Sequence, residues 1–144
     1  MGRHASLRSV RYLALAKDYE HAARILYDNA CPAGAPAFFH VVSHGIELTL
    51  KAVIAAGPDS DESLIALGHD LSFCLTLAHD RGLTLPVQAS NVVEATIVAL
   101  SPAHHAQAFR YPALFSLPLP SQDSALLALR EMIAAASQLC CHSR

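Results

Sequence analysis

Residues 36–56 read PAFFHVVSHGIELTLKAVIAA, a largely apolar run interrupted by His40, His44, Glu47 and Lys51. At ~100° per residue those four fall within an arc of about 60°, while Val41, Val42, Ile46, Leu48, Leu50, Val53 and Ile54 cover nearly everything else. A helix apolar on almost every side belongs at the centre of a helical bundle. Its polar stripe must face either water along a narrow seam or a polar cleft between helices. As a solvated edge, the stripe would contribute little beyond a Glu47–Lys51 pair at helical spacing.

Outward from that helix, the spacing of apolar residues predicts helices on both sides. Upstream, Leu7, Val10, Leu13, Ala14, Ala22, Ile25 and Leu26 recur at helical intervals between Ala5 and about Asn29, with Glu20 and Arg24 four apart. Cys31 to Pro36 ends this helix and starts the next, Pro36 suiting a first turn. Gly57-Pro58 closes the central helix near Ala56, and Asp59 to Glu62 offers caps for a short segment through Leu67.

Asp70 or Ser72 is placed to cap a helix from Leu71 to about Asp80, ended by Arg81-Gly82. A further helix is expected from Val87 to about Ala108, with a kink or break near Ser101 because Pro102 lies within it. Tyr111-Pro112 through Pro120 reads as an extended connector, and Ser121 or Asp123 caps a last helix to about Cys141. The expected fold is all-α: one domain, residues 1–144, forming an up-and-down bundle of about five helices.

Composition narrows the function classes. The chain is 53% hydrophobic and only 15% charged, with a net charge of −2. It therefore has no global basic field to gather nucleic acid, and any such contact must be local. The mean hydropathy of +0.32 favours an apolar face used for self-association, so a homodimer is expected. Cys31, Cys74, Cys140 and Cys141 have neither zinc-knuckle nor redox-pair spacing. Reduced thiols, an amphipathic N-terminal stretch and no run of about 18 uncharged apolar residues point to a cytoplasmic protein that neither is secreted nor spans a membrane.

Two histidines and a carboxylate on one helical face have the donor types of a metal site. The chain lacks His-Glu-x-x-His, a paired Glu-x-x-His and a suitably placed cysteine, so no metal and no cofactor is expected. Of the neighbours His104 and His105, which point some ~100° apart on a helix, only one could join such a site.

The run His44-Gly45-Ile46-Glu47-Leu48-Thr49-Leu50-Lys51-Ala52 and, about 16 residues on, Gly68-His69-Asp70-Leu71 with a leucine-rich helix behind it resemble HEPN-type (higher eukaryote and prokaryote nucleotide-binding) domains. The likeness covers residues 36 to 83 well and the other helices through their order. It implies a small helical bundle, often dimeric, engaged in nucleotide or RNA transactions, including RNA-cleaving toxins and their non-catalytic relatives. The catalytic members carry an arginine followed four to six residues later by a histidine. Here Arg3, Arg8, Arg11, Arg24, Arg81, Arg110 and Arg130 all lack that partner, and His104 and His105 instead precede Arg110.

The expectation is thus a non-catalytic HEPN-like binding and dimerisation module, linked to a toxin–antitoxin or other nucleotide- or RNA-related system, with a nucleotide, an RNA or a cognate protein as partner. The alternatives are an atypical HEPN ribonuclease and a purely structural oligomerisation domain. The candidate ligand-binding residues are Glu47, Lys51, His69 and Asp70, meeting at one polar site, with Arg110 as an additional cation. Asp70 as a plain helix cap, His69 as a residue that docks its own loop, and Arg110 as an anchor for the connector are the competing structural readings.

Overall fold

A computed structural model describes residues 6–111 and 118–141, in which every regular element is a helix. Helix α1 (Leu7–Asp28) begins where the Ser6 hydroxyl accepts the Ser9 N–H at 3.1 Å. It ends at Asn29, whose N–H returns to the Ile25 carbonyl. Helix α2 (Pro36–Ala55) starts with proline in its first turn, where the missing N–H costs nothing. The expected pair Glu20–Arg24 forms on α1 at 3.0 Å.

Ser60 caps the short α3 (Asp61–Ala66), and of the two caps available to α4 (Leu71–Asp80) the helix uses Asp70. Between α3 and α4, Gly68 sits at φ +59, a left-handed turn that a side chain would strain. Helix α5 (Val87–His105) continues past Pro102 and stops three residues before the expected Ala108. It stops because Gln107 takes φ +57 and the chain tightens into a 3₁₀ turn at Ala108–Arg110. Much of the extended connector expected from Tyr111 to Pro120 lies outside the described residues. Helix α6 (Gln122–Cys141) begins after Ser121, whose hydroxyl accepts the Ser124 N–H at 3.1 Å.

Four main helices and the short α3 therefore surround α2, which packs against α1, α3, α4, α5 and α6. Phe38, Phe39, Val42, Ile46, Leu50, Val53 and Ile54 on α2 are essentially sealed from solvent. Helix α2 has the length and apolarity to cross a membrane, but it is mostly buried among the other helices, as a core helix is.

Burying a whole helix strands its last carbonyls, and α1 supplies their donors. The Ser9 hydroxyl donates to Ala52 O at 2.7 Å, and the Ser6 hydroxyl to Ala55 O at 2.9 Å. The Arg8 guanidinium adds bonds to Ala55 O and Asp59 O. Near the middle of α2, Gly45 lets the backbones close up: a Cβ there would lie 3.1 Å from both Leu129 methyls and 3.4 Å from Tyr19 Cβ.

Candidate functional site

The polar stripe of α2 faces a cleft, not open water. Glu47 is 3% exposed and Lys51 8%. A carboxylate so placed must find donors or lose its charge, and Glu47 finds three. His69 Nδ1 lies 2.7 Å and His104 Nε2 2.8 Å from its Oε1, while Lys51 Nζ donates to Oε2 at 3.1 Å. The ammonium also donates to the Gly68 carbonyl at 3.0 Å. One carboxylate thereby ties α2 to the α3–α4 turn and to the end of α5.

Burial by itself would raise the Glu47 pKa. The bonds from His104 and His69, together with the Lys51 charge, overrule it and hold the carboxyl at about 2. A carboxylate only accepts, so the nitrogens facing it, His69 Nδ1 and His104 Nε2, carry hydrogens. In the neutral rings the lone pairs then sit on His69 Nε2 and His104 Nδ1.

Above this floor lies a cavity of about 160 Å³. Tyr19 of α1 and His40 and His44 of α2 wall one side. His69, His104, Gln107 and Arg110 wall the other. The rings form a chain: Tyr19 meets His44 edge-on at 4.7 Å, His40 and His44 stack at 6.2 Å, and His104 lies 6.4 Å from His44 and 5.4 Å from His69. Burial holds the pKa values of His40 and His44 below the usual imidazole range, leaving both neutral at pH 7.

Of the five residues singled out from sequence, Glu47, Lys51 and His69 meet as one bonded cluster, and Arg110 lines the cavity beside it. Asp70 is spent otherwise: its Oδ1 accepts the Phe73 N–H at 3.0 Å as the cap of α4. His69 also docks its own loop, so its structural role and its place in the cleft coincide. Arg110 is exposed, and its guanidinium donates to the Gln107 side chain at 2.9 Å. The left-handed backbone at Gln107 is what turns this arginine back toward the cavity.

His104 is the member that sequence reasoning undervalued. It lies 57 residues from Glu47, and the α5 end carries it to the cavity floor while His105, one residue on, points to solvent. Tyr19 gave no sequence signal at all, since nothing local separates it from its neighbours on α1. Cys74 is buried and its thiol is pushed up to about 11, which removes it as a nucleophile. One potential ligand atom each from His44, Glu47 and His104 lies within 4.8 Å of the others.

The wider grooves carry less chemistry. One of about 460 Å³ runs along α1 past Leu7, Tyr12 and Leu15, and one of about 520 Å³ lies beside Gly82 and Leu139; both are mainly apolar. Comparisons of the chain with protein-family models, with curated proteins and with solved structures found no match.

Proposed function

We propose that this chain is a non-catalytic, HEPN-like binding module whose histidine- and arginine-lined cavity takes a phosphate group of a nucleotide or of RNA. The carrying observation is the donor balance of the cavity. Four imidazoles and the Arg110 guanidinium line it, and both oxygens of Glu47, the carboxylate at its floor, are already engaged. Lys51 offsets the Glu47 charge, so Arg110 leaves the site with an excess positive charge at pH 7. A volume of about 160 Å³ suits a phosphate-sized group, with the remainder of a nucleotide or an RNA strand outside.

The absence of the family's arginine-to-histidine spacing supports binding without turnover. Self-association belongs to the same reading: Leu7, Val10 and Leu15 on α1 and Leu127 on α6 are exposed apolar side chains suited to a two-fold interface. So do a cytoplasmic setting and a role beside a cognate protein in a toxin–antitoxin pair.

Titration calorimetry with AMP and with a short single-stranded RNA, at low salt and in EDTA, tests the proposal. Binding is expected at micromolar to millimolar affinity, and Arg110→Ala is expected to weaken it at least about tenfold, or ~1.4 kcal/mol, with the fold unchanged. No heat with either ligand at millimolar concentration would leave the structural oligomerisation reading in its place.

RNA cleavage is a second reading, favoured by one feature. The Glu47–His69 bond leaves the His69 Nε2 lone pair available as a base in the same cavity as Arg110. Intact RNA after prolonged incubation with the protein would remove it.

A further inference from the structure

We propose that His44, Glu47 and His104 form a binding site for a divalent first-row transition ion, with zinc the natural occupant. The proposal goes beyond phosphate binding and does not depend on it. It also runs against the expectation from sequence, which found too few ligands near α2. The missing ligand arrives from α5.

The geometry carries the argument. One potential ligand atom from each residue lies within 4.8 Å of the other two. His104 Nε2 and Glu47 Oε1 are 2.8 Å apart, so opening the pair by about 0.5 Å gives the ~3.3 Å between neighbouring tetrahedral ligands whose bonds to zinc are ~2.0 Å. Ligation through that nitrogen exchanges its hydrogen bond to Glu47 for the bond to the ion, with the ring proton moved to Nδ1. His44 stands half-buried at the cavity wall with ring contacts to Tyr19, His40 and His104, and no hydrogen bond to its nitrogens is found among the described residues. Its ring lines the cavity, where it can offer a nitrogen to an ion.

The surroundings resemble the outer shell that metal sites need. Lys51 holds Glu47 Oε2 and His69 holds Oε1 from outside the trio, fixing how the carboxylate faces the cavity. Two imidazoles and one carboxylate suit zinc, cobalt or iron, whereas magnesium and calcium prefer all-oxygen sites. Three protein ligands leave at least one open position toward the cavity, where water or an oxygen of an anionic ligand would complete the shell.

Cobalt(II) serves as the spectroscopic probe, titrated into EDTA-stripped protein in phosphate-free buffer near pH 7.5. The expected result is one ion per chain with the visible d–d bands of a low-symmetry site, abolished by zinc. His44→Ala should lose the bands while keeping its helical circular dichroism. His105→Ala, which removes an exposed histidine next to the site, should keep them. His69→Ala should retain the bands with affinity about 10–100-fold weaker. His104→Ala leaves Glu47 short of a donor and is at risk of misfolding, so His44→Ala is the deciding variant. Absence of a d–d spectrum, or the same spectrum and affinity in His44→Ala, overturns the proposal. Because the phosphate test is run in EDTA, the two readings fail independently.

Discussion

Glu47 is the residue on which most of the site's free energy turns. With its folded pKa held at about 2 against an ordinary value of 4.5, it stabilises the fold in its charged form. The unfolded chain binds the proton more readily, so this stabilisation is complete above about pH 4.5 and is lost as pH falls toward 2, on the order of 3 kcal/mol in all. Urea titrations across that window should show the loss in the native protein, and a markedly shallower response in Glu47→Gln would assign the difference to this carboxyl, Asp59 with its own lowered pKa supplying the remainder. Glu47→Gln itself should cost about 3–5 kcal/mol at pH 7, because it leaves the buried Lys51 ammonium without its counter-charge. Elsewhere, Ala30 occupies a left-handed position at φ +53 after α1. Ala30→Gly should raise stability by roughly 1 kcal/mol in the same denaturation assay, by removing the Cβ strain.

At the scale of elements, α2 is specified by its apolar surface more than by helix propensity. Leu50 is sealed in the core, and Leu50→Ala should cost ~2–5 kcal/mol, depending on how far the neighbours collapse into the cavity. Gly45 tests the packing of α2 against α1 and α6 from the opposite direction. Alanine would gain about 1 kcal/mol of helix propensity, yet its Cβ would press on Leu129, which is itself fully buried and has little room to move. Gly45→Ala is therefore expected to lower the melting temperature, and a rise would show that α6 yields. Helix α5 carries the complementary lesson. Its end at His105 and the turn at Gln107 bring His104 inward and Arg110 back to the cavity, so a disturbance at that turn should alter ligand binding before it alters stability.

For the molecule as a whole, the apolar residues left on α1 and α6 set the expectation of a dimer. Sedimentation at micromolar concentration should return twice the mass of 15.4 kDa, and Leu7→Glu with Val10→Glu should return the monomer if α1 is the seam. A monomeric native protein would place the exposed leucines and valines among the scattered surface apolar groups that any domain carries.

The sequence by itself determined the all-helical bundle, the central place of α2 and most helix ends. Each of these is written in local chemistry: the period of the apolar residues, Ser60 and Asp70 as caps, and the glycine at Gly68. The Glu47–Lys51 pair and the return of His69 to it were legible for the same reason, since helical spacing and a short connection bring them together. Tertiary structure alone decided that the stripe faces a cleft between helices, that Asp70 serves α4 and not the site, and that Tyr19 and His104 join it while His105 does not. Those outcomes depend on where α1 and α5 cross α2. Their crossing is set by side-chain packing across the whole core, such as the close approach at Gly45, and not by the residues that end up in the site.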